Sequence, residues 1–290
     1  MRIPSNKISD IIGFFRKELS EIYPEDEVNQ LISMSFNHVL GFSKAELILR
    51  CNENILQSDL LKLNFICKDL KKHKPIQYIL GEAEFYGLKF KVNENVLIPR
   101  PETEELVQMV ARFSVGIKKS DLKILDIGTG SGCIAITLKD KLSEASVFAI
   151  DISEEALLLA KQNAEANGVN VNFSKVNALR LFDYPDLQIP DVIVSNPPYI
   201  SYKEKQNIKK NVLDFEPHLA LFSDENNPVI FYYRIIEYAS IKSVPFLFFE
   251  LNPKFANDVV LIAKKFCFNT EIVKDINGHH RFLKAERVKT

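Results

Sequence analysis

The sequence of 290 residues predicts a mostly parallel, doubly wound α/β sheet that follows an N-terminal helical bundle. From Leu122 onward, short apolar segments such as KILDIG and SVFAID alternate with helical patterns such as SEEALLLAKQNAEANG. Strands that alternate with helices in this way are typical of a parallel sheet with helices on both faces. Near the C-terminus, TEIVKDI and RFLKAERV flank the turn NGHH, which predicts a final antiparallel hairpin in the sheet.

The sequence pattern divides the chain into three parts. Residues 1–73 contain helical patterns, among them SDIIGFFRKEL and a capping box from Ser43 to Glu46, and predict a small helical bundle domain. Residues 74–98 predict a linker with a β-hairpin, because AEFYGLKFKVN alternates on both sides of Gly87. Residues 99–290 contain the α/β pattern and predict the larger domain.

Composition limits the classes of function. The net charge of −1 and the pI of about 6.6 lack the basic excess typical of proteins that bind nucleic acids. The four cysteines form no CxxC pair and lie among apolar neighbours, so we expect neither a metal site nor a disulfide framework. The N-terminal residues lack the layout of a signal peptide and no apolar run is long enough to span a bilayer, which predicts a cytoplasmic protein.

A glycine-rich turn, D-I-G-T-G-S-G from Asp126 to Gly132, follows the first strand of the α/β part and begins a helix. Glycines in such a turn allow positive φ angles and close approach of the backbone to a ligand. The G-x-G-x-G spacing is one residue shorter than the G-x-G-x-x-G of nicotinamide dehydrogenases. The charge of Asp126 would repel a pyrophosphate. This residue therefore favours an amino-acid-like ligand, whose ammonium group it would face directly or through water.

A second acid, Asp151, ends the strand SVFAID. An acidic side chain at the carboxyl end of the second strand is placed to accept hydrogen bonds from ribose hydroxyls. Several nucleoside-binding folds share this feature, so Asp151 alone does not choose between them. Capping of the following helix is the alternative role for this residue.

The strand DVIVSN ends in a rigid polar segment, Asn196-Pro197-Pro198-Tyr199. We expect this segment at the ligand crevice, because ligands bind beyond the carboxyl ends of parallel strands. Pro197 has no N–H group, so its carbonyl and Asn196 Oδ1 offer two acceptors at a fixed separation, which suits a planar –NH2 group. Tyr199 is placed to stack on a flat group. The segment therefore predicts a rigid clamp for an amine or amide nitrogen, as a methyl transfer requires.

At these residues the chain resembles class I S-adenosylmethionine-dependent methyltransferases, which have a Rossmann-like fold. The NPPY segment resembles that of enzymes that methylate a planar nitrogen in adenine, guanine or a glutamine amide. Five blocks resemble the peptide chain release factor glutamine methyltransferase family in order and spacing. They are PIQYILGEAEFYG at 75–87, VLIPRPETEELV at 96–107, ILDIGTGSGCIAI at 124–136, SNPPYI at 195–200 and FEPHLALF at 215–222. The resemblance covers the whole chain, and its most specific part is the combination of LIPRPETE with NPPY.

The resemblance implies transfer of a methyl group from S-adenosylmethionine, with S-adenosylhomocysteine as product, to the side-chain amide of the glutamine in the GGQ motif of release factors, in support of translation termination. It also implies that the helical domain docks the release factor, and that the enzyme is a monomer without direct nucleic-acid contact. The cofactor-binding residues that it implies are Asp126, Gly128, Thr129, Gly130, Ser131, Gly132, Asp151, Ala178 and Asn196. The catalytic residues that it implies are Asn196, Pro197 and Tyr199, which bind the glutamine together with Pro198.

Three other functions compete with this interpretation. A nucleic-acid methyltransferase would use the same clamp on a flipped base amine, and the near-neutral charge argues against it. A cofactor-binding protein without catalysis would not need the intact NPPY segment. A nicotinamide oxidoreductase would have a different glycine spacing.

Overall fold

The computed structural model describes residues 5–117 and 119–288 of the chain. The chain divides into two compact units. Unit 1 comprises Met1–Gly81 and Lys210–Phe215, and unit 2 comprises Glu82–Lys209 and Glu216–Thr290.

Unit 1 is a bundle of short and medium helices. They are α1 (Ile8–Leu19), α2 (Glu25–Leu40), α3 (Lys44–Leu49), α4 (Gln57–Leu70), α5 (Ile76–Leu80) and, later in the chain, α9 (Lys210–Phe215). The predicted capping box begins α3: the Glu46 N–H donates to the Ser43 hydroxyl at 3.3 Å, and the Ser43 N–H donates to the Glu46 carboxylate at 2.8 Å. Apolar residues at helical spacing form the core of unit 1, in which the rings of Phe15 and Phe36 lie 6.4 Å apart.

Unit 2 opens with the predicted β-hairpin, formed by β1 (Glu82–Phe85) and β2 (Leu88–Lys91). Tyr86 and Gly87 form its turn with φ angles of 52° and 77°, as a two-residue hairpin turn of this kind requires. Phe85 and Phe90 are buried and pack edge to face with ring centroids 6.0 Å apart. Phe85 and Phe90, from the predicted linker 74–98, therefore belong to the hydrophobic core of unit 2.

A seven-stranded sheet forms the centre of unit 2. Its strands are β3 (Lys123–Ile127), β4 (Ser146–Asp151), β5 (Asn172–Lys175), β6 (Val192–Ser195), β7 (Phe246–Glu250), β8 (Phe268–Lys274) and β9 (His280–Arg287). Their order is β5-β4-β3-β6-β7-β9-β8. The strands from β3 to β7 pair in parallel, whereas β9 pairs antiparallel with both β7 and β8. This topology confirms the mostly parallel sheet with an antiparallel hairpin at its end.

Helices cover both faces of this sheet. They are α6 (Pro101–Val115), α7 (Cys133–Lys141), α8 (Glu154–Ala166), α11 (Ile230–Ile241) and α12 (Ala256–Lys265). A short helix, α10 (His218–Leu221), precedes α11 in the chain. One core packs the sheet against the hairpin, α6 and α7, and a second core packs it against α11 and α12. Neighbouring residues such as Ile124 and Leu125 point into opposite cores, which explains why the strands are apolar without alternation. Within the described ranges, no helix combines the length and the apolar character needed to cross a membrane.

The strand order reverses between β3 and β6. Along the chain, β4 and β5 are added on one side of β3, and β6 and β7 are then added on the other side. A reversal of this kind leaves a crevice beyond the carboxyl ends of the strands, where ligands bind in open α/β sheets. The residues that follow or end those strands are the glycine loop, Asp151, Asn196 and Glu250.

Candidate active site

A cavity of about 300 Å³ lies at this edge of the sheet in unit 2. Seven of the predicted site residues line it, from four different strand ends. They are Gly128, Gly130, Asp151, Ala178, Asn196, Pro197 and Pro198. Further lining comes from the segment Glu94–Leu97, which precedes α6, and from Pro217, Leu219, Ala220 and Phe231. Five of these further residues, Val96, Leu97, Pro217, Leu219 and Ala220, lie in the blocks at 96–107 and 215–222, but none of them is among the predicted ligand contacts.

The glycine loop has the backbone geometry that its sequence predicts. Gly128, Gly130 and Gly132 have φ angles of 77°, 55° and 84°. A Cβ added at Gly132 would stand 2.8 Å from Ile136 Cδ1 and 3.1 Å from Ala160 Cβ, so this glycine allows close packing of α7 and α8 behind the loop. Apart from the glycine itself and its two chain neighbours, no described residue has a heavy atom within 4 Å of a Cβ built on Gly128 or Gly130, both of which line the cavity. The loop therefore presents bare backbone to a ligand.

Asp126 lies beneath the loop. It is fully buried, and its carboxylate accepts a hydrogen bond from the Thr129 hydroxyl at 2.6 Å. Burial raises the pKa of Asp126 to about 7, because a charged carboxylate loses its hydration there, and the Thr129 hydrogen bond only partly opposes this. In the part of the chain that the structure describes, the cavity wall does not include Asp126, Thr129, Ser131 or Gly132. These four remain predicted cofactor residues: Thr129, Ser131 and Gly132 belong to the loop that forms the wall, and Asp126 lies in β3 just before it.

Asp151 joins the glycine loop to the following helix. Its Oδ2 accepts from the Gly130 N–H at 2.9 Å, and its Oδ1 accepts from the Ser153 N–H at 2.9 Å. The cap of α8 is Ser153, whose hydroxyl accepts from the Ala156 N–H at 3.1 Å, so Asp151 is not the helix cap. Burial raises the pKa of Asp151, and the backbone hydrogen bonds oppose that rise. Its carboxylate thus lies at the cavity and also holds the loop in place.

The segment after β5 forms the apolar end of the cavity. Asn177 caps the turn that follows, because its Oδ1 accepts from the Leu179 N–H at 2.9 Å. Val176, Ala178 and Leu179 line this end together with Ile152. A flat apolar group would fit between these side chains.

The NPPY segment follows β6 and is fixed at its start by Ser195, whose hydroxyl donates to the Ile127 carbonyl at 2.7 Å. Asn196, Pro197 and Pro198 line the cavity. Tyr199 does not appear among the described lining residues, and its hydroxyl donates instead to Glu250 Oε1 at 3.2 Å. Burial beside that carboxylate raises the pKa of Tyr199, so the hydroxyl keeps its proton.

The Asn196 amide is held by a residue from α6. Asn196 Nδ2 donates to Thr103 Oγ1 at 3.2 Å, and the Thr103 hydroxyl donates to Glu250 Oε2 at 2.7 Å. The cap position of α6 is Arg100, so Thr103 lies inside the helix, and sequence reasoning did not single it out as a partner of Asn196. Sequence reasoning also missed Glu250. The one local signal is a carboxylate at the end of the otherwise apolar strand FLFFE.

Arg100, at the start of α6, forms an ion pair with Glu216. Its guanidinium donates to Glu216 Oε1 at 2.5 Å, and the other oxygen of Glu216 accepts from the Ile98 N–H at 3.3 Å. Glu216 is buried, so this pair ties the segment before α6 to the loop that carries Pro217 and Leu219 to the cavity. Arg100 therefore has a defined structural partner.

The strand order, the glycine loop and the NPPY segment at the switch point define a class I methyltransferase. Comparison with solved structures supports this fold. The catalytic domain of hMettl16, in complex with the RNA MAT2A 3'UTR hairpin 6, matches 82% of this chain and 86% of its own with a TM-score of 0.52 at 16% identity. The delta-N METTL16 methyltransferase domain matches 71% of this chain and 90% of its own with a TM-score of 0.51 at 19% identity.

Sequence comparisons resolve the family. The family model "Methyltransferase domain" matches residues 118–233, and the "PrmC N-terminal domain" matches residues 10–81. The release factor glutamine methyltransferase of Flavobacterium psychrophilum is 44% identical over 93% of this chain and 96% of its own. That of Bacteroides thetaiotaomicron is 39% identical over 96% of this chain and 99% of its own. The chain belongs to the release factor glutamine methyltransferase family.

Methyltransferases of this class use S-adenosylmethionine, and the residues at the cavity fit it. The bare backbone at Gly128 and Gly130 leaves room for close approach by the amino-acid end of the cofactor. Asp151 offers a carboxylate for ribose hydroxyls, and the apolar end beyond Val176 and Ala178 suits the adenine ring.

Proposed function

We propose that this enzyme transfers a methyl group from S-adenosylmethionine to the side-chain amide nitrogen of the glutamine in the GGQ motif of peptide chain release factors, in support of translation termination. Two lines of support converge on this substrate. The chain is similar over nearly its whole length to relatives that bear this activity in their names. Asn196 and Pro197 also line the cavity, and their side-chain and backbone carbonyl groups are acceptors of the kind that an amide –NH2 group needs.

The observation that carries the proposal is the orientation of the Asn196 amide. Because Nδ2 donates to Thr103, Oδ1 is the amide atom available to a ligand at the cavity. The next residue along the chain, Pro197, also lines the cavity, and it has a carbonyl acceptor but no N–H that could compete. Two acceptors side by side select a group with two hydrogens on one planar nitrogen, and a glutamine amide is such a group.

The residues of the clamp prepare the nitrogen for reaction. The lone pair of an amide nitrogen is delocalised into its carbonyl, which makes the nitrogen a weak nucleophile. When Asn196 Oδ1 and the Pro197 carbonyl accept its two hydrogens, electron density on the nitrogen increases and its orientation is fixed. S-adenosylmethionine, when bound, supplies an electrophilic methyl group on its sulfonium.

A separate general base is not required before the nitrogen attacks. The nitrogen becomes acidic as it gains a fourth bond, and one of the two hydrogens held at Asn196 and Pro197 then leaves to water. The apolar residues around the slot exclude most other water, which favours a reaction that disperses charge.

The roles of the other site residues are assigned from their positions at the cavity. We assign the loop from Gly128 to Gly132, with Asp126 beneath it, to the amino-acid end of the cofactor. Asp151 binds its ribose and Ala178 contacts its adenine. Pro198 and Tyr199 shape the glutamine slot beside Asn196 and Pro197.

The helical part of the chain completes the proposal. We assign residues 1–73 to docking of the release factor, because the described residues of this part, from 5 to 73, carry helices and do not line the cavity. The near-neutral charge is consistent with a protein substrate and with no direct nucleic-acid contact. We expect a monomeric, cytoplasmic enzyme.

Mass spectrometry of intact release factor tests the function. The protein is incubated with S-adenosylmethionine and either a release factor or the same factor with its GGQ glutamine changed to alanine. We expect the mass of one methyl group on the former and none on the latter. Equal labelling of both factors would reject the glutamine as acceptor. Labelling of neither, together with methylation of an adenine- or guanine-containing nucleic acid, would assign the clamp to a base amine.

A further inference from the structure

A buried carboxylate lies directly behind the NPPY segment. Glu250 is the last residue of β7, which pairs with β6, and its side chain is 1% exposed. It accepts hydrogen bonds from the Thr103 hydroxyl at 2.7 Å and from the Tyr199 hydroxyl at 3.2 Å. Burial raises the pKa of Glu250, whereas both hydroxyls and the nearby charge of Arg281 oppose that rise. In its ionised form a carboxylate can only accept, so it sets the direction of each hydrogen bond that reaches it.

Thr103 transmits that direction to the clamp. A threonine hydroxyl has a single proton, and Thr103 donates it to Glu250. Toward Asn196 the same oxygen can therefore only accept, and the amide atom that can donate to it is Nδ2, which lies 3.2 Å away. Thr103 is buried within α6 at 3% exposure, so it has little freedom to turn away.

The direction matters because an asparagine amide is nearly symmetric in shape. If the amide turned over, Nδ2 would face the cavity and would present hydrogens to the hydrogens of a substrate –NH2 group. An acceptor-only carboxylate at the far end of the chain of hydrogen bonds excludes that arrangement, because two acceptor oxygens would then face each other at Thr103 with one proton too few between them.

We infer that Glu250 is a positioning residue: through Thr103 it holds the Asn196 amide with Oδ1 toward the substrate. The inference rests on the proposed methylation of a glutamine amide and adds two residues to it. Neither Glu250 nor Thr103 lines the cavity within the described residues, so both act through groups that do.

The Glu250→Gln variant tests the inference, because it keeps the shape of the side chain and adds donors. The introduced –NH2 group can donate to Thr103, whose hydroxyl proton is then free to turn toward Asn196 Oδ1. The amide of Asn196 then populates the wrong orientation. We expect kcat to fall at least about 10-fold, less than the loss of about 10²–10³ that follows removal of a preorganised hydrogen-bonding group. We expect the cofactor Kd and the KM for release factor to stay within about 3-fold, since neither depends on Glu250 directly.

A double-mutant cycle asks whether Glu250 acts through Thr103. Thr103→Val removes the intermediate hydroxyl, and it should lower kcat by a similar factor. If Glu250 acts through Thr103, adding Glu250→Gln to Thr103→Val should change kcat by no more than about 2-fold. Multiplication of the two single effects would contradict the inference, because each residue would then act by its own route.

Two further variants serve as controls. Thr103→Ser keeps the hydroxyl and should recover most of the turnover that Thr103→Val loses. Glu271→Gln makes the same chemical change at an exposed carboxylate on β8 of the same sheet and should leave kcat unchanged. If Glu250→Gln does not fold, the comparison of Thr103→Val with Thr103→Ser decides, because equal turnover in those two variants overturns the inference.

Failure of the inference can be told from failure of the proposed function. A wild-type protein that methylates release factor only when the GGQ glutamine is present supports the function. With that result in hand, wild-type kcat in Glu250→Gln overturns the positioning role alone. A wild-type protein that binds cofactor but does not methylate release factor overturns the function and, with it, this role.

Discussion

At the glycine-loop end of the cavity the wall is made of backbone, and at the NPPY end it is made of oriented polar side chains. The contacts that fix the glycine loop join residues that are fairly close in the sequence. Thr129 donates to Asp126 three positions away, and the Gly130 N–H donates to Asp151 across 21 positions. The contacts that set the clamp span 93 positions between Asn196 and Thr103 and 147 positions between Thr103 and Glu250. Backbone geometry thus serves binding of the cofactor, whereas a tertiary network orients the group that reacts.

Asn196→Ala is expected to have the largest effect, because it removes one of the two acceptors of the clamp. We expect turnover to fall about 10³-fold, comparable to removal of a preorganised hydrogen-bonding group in other active sites. The cofactor Kd should change by less than about 5-fold if the two ends of the cavity act separately. Steady-state kinetics with release factor and calorimetry with S-adenosylhomocysteine provide both values. Near-normal turnover would reject the clamp.

Gly132→Ala tests the loop end without touching the cavity wall. An alanine there needs a left-handed conformation and a Cβ 2.8 Å from Ile136 Cδ1. We expect the free energy of unfolding to fall by about 2–4 kcal/mol from strain and overpacking together. Gly130→Ala is the matched comparison, because Gly130 also has a positive φ but has open space around an added Cβ. The free energy of unfolding of this variant should fall by only about 1–2 kcal/mol. Equal losses in urea unfolding would show that packing behind Gly132 contributes little.

Asp126→Asn tests the cost of the buried acid beneath the loop. The pKa of Asp126 is raised to about 7 in the folded protein, above the model value of 3.8, so the folded state keeps a proton that the unfolded state has lost. The contribution of this group to stability is therefore full at low pH and is lost as pH rises toward 7. Relative to Asp126→Asn, the wild type should lose roughly 2–3 kcal/mol of unfolding free energy between pH 5 and pH 7. Parallel pH profiles in denaturant unfolding would contradict the raised pKa.

Asp151→Asn should have the smallest effect of the four. Asp151 accepts one backbone N–H at each oxygen, and an asparagine has a single acceptor oxygen, so either Gly130 or Ser153 loses its partner. We expect the cofactor Kd to rise about 10-fold, which corresponds to about 1.4 kcal/mol. Turnover at saturating cofactor should stay within about 3-fold, since the clamp is intact. A large loss of turnover with unchanged cofactor Kd would show that the two ends are not separate.

The sheet and the glycine loop could be predicted from the sequence, because each depends on residues that are close together in the chain. The alternation of apolar segments with helical ones predicts the parallel sheet, and the spacing of Gly128, Gly130 and Gly132 predicts the loop at its edge. The order of the strands then brings Asp151 and Asn196 to one cavity, as expected for residues at the carboxyl ends of parallel strands.

The features that sequence reasoning missed depend on tertiary contacts. Thr103 lies in an ordinary first helical turn, and Glu250 resembles any acid after a strand, so neither shows its partner in the sequence. The same limit applies to the hydroxyl of Tyr199, which donates to Glu250. Only the packing of α6 and β7 around β6 brings these side chains together.

The most direct test of the account is to locate the methyl group by fragmentation mass spectrometry of release factor treated with the wild-type protein or with Asn196→Ala. The account predicts one methyl group on the amide nitrogen of the GGQ glutamine with the wild-type protein, and a rate about 10³-fold lower with the variant. A methyl group on another residue of the release factor, or equal rates with both proteins, would contradict it.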